Sequence, residues 1–220
     1  MITIILAAGN NKRFGGKHKG ALKARDGRTV LENIADNLNA KTLFVVAQKK
    51  YRWRLNKAIK NLSAPGSKRI SFHAWLQKPT SGPLDTLWQA REWIKILLDA
   101  QNNGDCPVVI SYCDVLLERV WVSSFLKSCE GHDAGIVVFE SDDDRFGNAM
   151  PGVTDKIKNS GLFYFRSGKQ MLAFLQNTIK GNENLGVPSL VYFCHDPKIF
   201  LCNEVIDIGV PEDYEEYIND

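Results

Sequence analysis

Apolar and polar positions along this chain fall into alternating blocks of strand length and helix length. Residues 2–6 form a mostly apolar run, interrupted only by Thr3, followed by Ala7, Ala8, Gly9 and a polar, glycine-rich stretch to Gly27. A short apolar run bounded by small and polar residues predicts a fully buried strand. Thr29-Val30-Leu31-Glu32 has the capping-box pattern and predicts a helix to about residue 38. Strands are predicted at 43–47 and 70–75, with a basic helical segment at 50–62 between them. The turn Lys78-Pro79-Thr80-Ser81-Gly82-Pro83 leads into a long helix, whose apolar positions Leu84, Leu87, Trp88, Ile94, Leu97 and Leu98 recur mostly every three or four residues.

The pattern continues with a strand at 107–111 ending in Tyr112-Cys113-Asp114, a helix at 120–129 and a strand at 134–139. An acidic loop at 141–148, a strand at 162–165 and a helix from Ser167 to 179 follow. Pro188 leaves 185–193 open between strand and helix. Short strands at 199–201 and 205–206 precede an acidic helix that starts at Pro211, where a missing N–H costs nothing. Strands separated by helices imply a single-domain α/β fold over 1–220, with a mostly parallel central sheet and helices on both faces.

At 44% hydrophobic residues and 24% charged, the chain can bury a sizeable core and is no disordered tail. The apolar start is too short for a membrane span, which takes about 18 residues, and lacks a basic leader. The five cysteines contain no C-x-x-C pair, which argues against a zinc knuckle or a disulfide framework and for a reducing, cytoplasmic setting. Net charge is only +3, but its distribution is uneven: residues 1–80 hold 17 Lys and Arg against 3 Asp and Glu, and residues 81–220 hold 11 against 22. That asymmetry predicts a site taking an anion on one side and a cation on the other.

Ligands of open parallel sheets gather at the carboxyl ends of the strands. The loop after the first strand combines small residues with Lys12, Arg13, Lys17 and Lys19, the means by which phosphate chains are commonly held. It matches neither G-x-G-x-x-G nor the P-loop. Asp114 and Asp207 each follow an apolar segment, and two such carboxylates could hold a hard ion such as Mg2+, with substrate phosphates completing its shell. Either carboxylate alone could equally be a turn or cap residue.

Five segments stand in fixed order. They are Ile5-Leu6-Ala7-Ala8-Gly9 with Arg13-Phe14, Lys19-Gly20-Ala21-Leu22 and Val30-Leu31-Glu32; then Ser81-Gly82-Pro83-Leu84-Asp85-Thr86-Leu87; then Asp114; then Asn159-Ser160-Gly161-Leu162-Phe163-Tyr164-Phe165; and last Ile206-Asp207-Ile208-Gly209-Val210-Pro211-Glu212-Asp213-Tyr214. Together they resemble the nucleotidyltransferases of GT-A-like, Rossmann-like fold, the sugar-phosphate and alditol- or choline-phosphate nucleotidyltransferases also called pyrophosphorylases. The resemblance spans essentially the whole chain, without any carboxy-terminal extension. It implies transfer of a nucleoside monophosphate from an NTP to a small phosphorylated acceptor, with Mg2+ as cofactor. Arg13 and Lys19 would be catalytic, and Leu6, Ala7, Ala8, Gly9, Asn10, Asn11, Lys12, Gly82 and Pro83 would bind the nucleotide. Asp114 and Asp207 would hold the metal, and Asn159 and Gly161 the acceptor.

The chain departs from the family's G-x-G-[ST]-R at Asn10-Asn11-Lys12 and has His18 where the family has Pro. Asn tolerates positive φ best among non-glycine residues, so Asn11 can keep the loop's shape. Of Lys19 and Lys23, the spacing of Lys19-Gly20-Ala21-Leu22 into the next helix selects Lys19. Two rival readings remain: a glycosyltransferase of the related fold, in which Asp142-Asp143-Asp144 would be the D-x-D, and a nucleic-acid module using Lys49 to Lys60 with Tyr51 and Trp53. The loop charges favour a triphosphate over a nucleotide sugar, and one helix of mixed periodicity is too little for a nucleic-acid face, so no nucleic acid partner is expected. No apolar stretch is long enough for a membrane one, and the oligomeric state stays open. The four histidines are expected to be structural or solvated, and the five tryptophans mostly core.

Overall fold

Strand β1, Ile2–Ala7, is buried along its whole length because its side chains feed two cores. Ile2, Ile4 and Leu6 pack on one face of the sheet, and Ile5 and Ala7 on the other. The structure is a computed structural model that describes residues 1–64, 69–101, 106–143, 145–147, 149, 154–179 and 186–219. The chain continues through α1 (Val30–Asn37), β2 (Thr42–Gln48), α2 (Arg52–Leu62), β3 (Ile70–Leu76), α3 (Pro83–Asp99) and β4 (Val108–Tyr112). After β5 (Val115–Leu116) come α4 (Arg119–Ser128), β6 (Ala134–Glu140), β7 (Ile157–Phe165), α5 (Gly168–Thr178), α6 (Pro188–Tyr192), β8 (Pro197–Leu201), β9 (Ile206–Asp207) and α7 (Pro211–Asn219).

Seven strands form one sheet in the order β3-β2-β1-β4-β7-β6-β8. All neighbours run parallel except around β7, which is antiparallel to both β4 and β6. Helices α3, α5 and α6 cover one face through Leu84, Leu98, Met171 and Leu190; α1, α2 and α4 cover the other through Leu31, Leu55 and Phe125. The chain builds outward from β1 to β2 and β3 and then crosses back to β4 on β1's other side. This reversal of strand order opens a crevice at the carboxyl ends of β1 and β4, where an α/β sheet places its ligand.

The mostly parallel sheet and its two helical layers follow the sequence expectation. Thr29 caps α1 with the reciprocal Glu32 contacts of a capping box, and Ser167 caps α5. β7 begins five residues earlier than the sequence reading places it, because Lys158 and Ser160 are buried there despite being polar. The open stretch around Pro188 is a short helix; Leu185, like Asp144 and Asn148 of the acidic loop, lies outside the described residues. Trp53 and Trp93 are not core residues: they are 71% and 46% exposed. Trp53 instead carries the Arg54 guanidinium over its ring.

Candidate active site

A cleft of about 380 Å3 opens at the carboxyl ends of β1 and β4. The glycine-rich loop after β1 forms one wall, the turn from Thr80 to Pro83 a second, and Tyr112 at the end of β4 with Cys113 and Asp114 a third. Ser81 N–H donates to Asp85 Oδ2 at 2.9 Å, closing that turn onto the start of α3.

Asn11 shapes the loop. Its φ of 50° is left-handed, as the sequence expectation requires, and Gly15 and Gly16 follow at 57° and 78°. Its side-chain N–H donates to Gly9 O at 2.7 Å and its Oδ1 accepts from Lys19 N at 3.2 Å, so one residue fixes both ends of the loop. His18, where the family has Pro, is buried and bridges the loop to the sheet. Its Nδ1 accepts from Gly20 N at 3.1 Å, so the ring proton sits on Nε2 and is donated to Ala7 O at 2.7 Å. Helix α2 and its approach brace the loop from outside: Tyr51 donates to Asn10 O, Lys50 to Asn10 Oδ1 and Arg54 to Gly16 O. The aromatic and basic residues of the nucleic-acid reading therefore include three that are tied to this loop.

Burial pushes the His18 imidazole down to about 4, with Arg54 and Lys19 adding to the shift against the Ala7 hydrogen bond. The unfolded chain then holds a proton that the folded chain refuses, so stability falls as pH drops from about 6.5 to about 4 and levels off below. The expected loss is about 3 kcal/mol at most. Asp207 works in the opposite direction over part of this window, so the effect is read as the difference between wild type and His18→Gln in urea unfolding at pH 7 and pH 4.5. Parallel pH dependences would remove His18 as the cause.

Lys19 Nζ lies 2.8 Å from Asp114 Oδ2 across the cleft, joining the basic first third of the chain to the acidic remainder. Lys23, the alternative lysine, instead donates to Gly27 O at 2.7 Å. Asp207 is brought to Asp114 by the β5–β9 ladder, in which Val115 pairs with Asp207 and Ile208 N donates to Asp114 O at 2.9 Å. Burial, and then the Asp114 carboxylate, push the Asp207 carboxyl up to about 6, with Lys19 pulling it down. This geometry joins two carboxylates 93 positions apart in one electrostatic unit. No group of three or more His, Cys, Asp or Glu residues suited to a metal occurs among the described residues. Two carboxylates at the edge of a cleft suit an ion such as Mg2+, which uses one or two protein carboxylates and completes its shell with water and phosphate.

Gly209 closes the arrangement. A Cβ there would lie 2.6 Å from Asp207 Oδ2, so only glycine lets the main chain pass so near the carboxylate. Gly209→Ala is expected to turn the Asp207 carboxylate away and raise the Mg2+ concentration giving half-maximal activity several-fold, with an unchanged melting temperature. An unchanged Mg2+ requirement would show that this close approach does not matter.

Leu6, Ala8, Gly9, Asn10, Asn11, Lys12, Arg13, Lys19, Gly82, Pro83 and Asp114 all line the cleft. Ala7 is buried in the core beneath it and contributes its carbonyl to His18. Asp207 faces a neighbouring recess of about 300 Å3, walled by Arg25, Arg145, Phe146 and Tyr217 among others. Asn159 and Gly161 line neither space directly. Asn159 Nδ2 donates to Gly147 O at 2.9 Å, holding the segment that carries Arg145 and Phe146 into that recess. Gly161, with φ 80°, passes under Tyr112, where a Cβ would meet the ring at 2.6 Å. The sequence reading did not single out Thr80, Thr86, Tyr112, Cys113 or Gly209 as site residues, although all of them line the cleft. Thr80, Thr86 and Gly209 lie inside motifs quoted for the resemblance or next to them, and adjacency to those motifs was the available signal.

The sequence matches the model of the MobA-like NTP transferase domain over residues 3–194. No curated protein matches the chain by sequence. Among solved structures, the nucleoside-diphosphate-sugar pyrophosphorylase from Vibrio cholerae RC9 superposes with a TM-score of 0.77 at 16% identity, covering 100% of both chains. The inositol-1-phosphate CTP transferase from T. maritima gives 0.67 at 16% identity, covering 99% of this chain and 94% of that one. At such identities the structures speak for the fold.

Proposed function

The chain belongs to the MobA-like NTP transferase domain family and is a nucleotidyltransferase, and from that premise we propose how this cleft moves a nucleoside monophosphate from an NTP to a small phosphorylated acceptor. The observation that carries the reading is the meeting of Lys19, Asp114 and Asp207 beside the glycine-rich loop. Attack of an acceptor phosphate oxygen on the α-phosphorus brings two anions together, and fixed cations offset that repulsion and the charge that builds up in transfer. Arg13 and Lys12, exposed at the mouth of the cleft, and Lys19, deeper in it, hold the triphosphate. Loop N–H groups approach it where Ala8 and Gly9 lack bulk. Gly82 and Pro83 face the loop across the cleft and flank the nucleobase.

Asp114 and Asp207 would hold Mg2+, which supplies charge neutralisation and orientation of the phosphates when bound. The acceptor is placed in the recess beside Asp207, where Arg25 and Arg145, the latter held by Asp143 and Asp213, are the cations available to its phosphate, and Asn159 keeps the Arg145 segment in position. Gly161 leaves room for the Tyr112 ring at the side of the cleft. No side-chain nucleophile is required, because the acceptor itself attacks. The whole reaction is assigned to one domain over 1–220. The cysteines are all free and buried, which fits a reducing cytoplasm. Among the described residues no helix is long and apolar enough to cross a membrane.

The test is positional. With NTP labelled at the α-phosphorus, label is expected in the acceptor-linked product, and with γ-labelled NTP it is expected in pyrophosphate. Label from the γ position appearing in the acceptor would mean kinase-type transfer and would overturn the reading.

A further inference from the structure

We propose that Lys19 is the resident counter-ion of the Asp114–Asp207 carboxylate pair and holds the place of a divalent cation until a triphosphate draws its ammonium away, so that metal and nucleotide enter the cleft coupled. This inference rests on the metal and phosphate roles assigned above. Its basis is the 2.8 Å contact between Lys19 Nζ and Asp114 Oδ2, made with only 16% of the lysine side chain and 30% of the aspartate side chain exposed. The same ammonium also acts on the Asp207 carboxyl, where it and the Gly209 main-chain hydrogen bond work against burial and the neighbouring Asp114 charge. One cation thus serves two carboxylates.

The carboxylates are the fixed partners. Their main chains are set by the β5–β9 ladder and by the Ile208 N–H bond to Asp114 O. The lysine main chain is pinned as well, by Asn11 Oδ1 on its N–H. What can move is the four-carbon stem that carries the ammonium. Its travel is bounded by Phe14, whose ring centre lies 5.7 Å from Nζ. A divalent ion seated on Asp114 therefore has to displace the ammonium or suffer its repulsion. A triphosphate on the loop offers that ammonium a second anion on the same wall as Lys12 and Arg13. Each ligand makes room for the other, and thermodynamic linkage requires the coupling to be reciprocal.

Calorimetric titration of the full-length protein tests both directions without turnover. In the metal direction, Mn2+ is titrated into nucleotide-free wild type, Lys19→Met and Lys19→Arg. Losing a charge-assisted contact of this kind should make Lys19→Met bind Mn2+ about tenfold tighter than wild type or more. Lys19→Arg, which keeps the counter-ion, should stay near wild type, and adding Asp114→Asn to Lys19→Met should abolish the gain. In the phosphate direction, inorganic tripolyphosphate is titrated in EDTA. Asp114→Asn, which frees the ammonium, should bind it about tenfold tighter, and the gain should vanish when Lys19→Met is added.

Equal Mn2+ affinity in wild type and Lys19→Met, with binding lost in Asp114→Asn, would overturn the exchange while leaving the metal site standing. A tripolyphosphate gain that persists without Lys19 would reduce the effect to general repulsion and overturn it too. If neither wild type nor Lys19→Met binds Mn2+ and Asp114→Asn leaves turnover intact, the metal reading falls and this inference with it. The Asp114→Asn titration in EDTA does not depend on the folding of Lys19→Met, and absence of a gain there is sufficient to overturn the exchange.

Discussion

Lys19→Ala and Arg13→Ala are each expected to lower the rate of nucleotidyl transfer by about 10²–10³-fold, the range seen when one charge stabiliser is removed from a pre-organised site. The two should fail differently. Arg13 is exposed at the mouth of the cleft and makes no ion pair among the described residues, so its loss should leave the melting temperature unchanged. Lys19 Nζ is paired with Asp114, so its loss should also cost about 1 kcal/mol of stability, discounted for partial exposure, while its main-chain bond to Asn11 survives the change. Single-turnover rates with saturating NTP, together with thermal melts, check both. Normal turnover in both folded variants would remove the glycine-rich loop from the chemistry.

The second large effect concerns the carboxylate pair. Asp114→Asn and Asp207→Asn should each reduce Mg2+-dependent turnover by about 10²-fold, as several kcal/mol of charge stabilisation goes with the metal. The double variant should be little worse than either single one, because residues acting as a unit are non-additive. Stability should move the other way for Asp207. Its carboxyl is raised to about 6, so the folded chain holds that proton more tightly than the unfolded one, and stability is lost as pH rises from about 4 through 6. Asp207→Asn removes that cost and should stabilise the metal-free protein at pH 7 by about 1–3 kcal/mol. Asn caps helices and turns about as well as Asp, so a merely structural Asp would tolerate the change in both assays. Mg2+ titrations of the four proteins, with urea unfolding in EDTA, separate the two roles.

The chain showed its architecture where local chemistry and tertiary packing agree. β1 is readable because a strand buried on both faces is apolar at nearly every position, Thr3 alone excepted, and α1 because Thr29 and Glu32 cap it whatever lies nearby. β7 was only half readable: its start carries Lys158 and Ser160, polar residues buried by position in the sheet. Its reversed direction is a long-range property, since nothing in residues 157–165 says which strands lie beside them. The loop residues of the site were legible because backbone approach to an anion needs small residues and positive φ, and Asn11 supplies the latter. Tyr112 was not, for its place in the cleft wall depends on Gly161 giving way beneath its ring, a contact between residues 49 apart. His18 looked like a departure from the family pattern. Its two ring hydrogen bonds, to Ala7 and from Gly20, tie the loop to the end of β1.

Pyrophosphate release tests the central claim most directly. Wild type and Lys19→Ala are assayed with each of the four NTPs against sugar, alditol and amino-alcohol phosphates, in Mg2+. One NTP and acceptor class should release pyrophosphate in amounts equal to the nucleotide-linked product, only when both substrates are present, and at a rate that falls about 10²-fold or more in Lys19→Ala. Pyrophosphate release that ignores the acceptor, or a nucleotide sugar consumed with release of a nucleoside diphosphate instead, would contradict it.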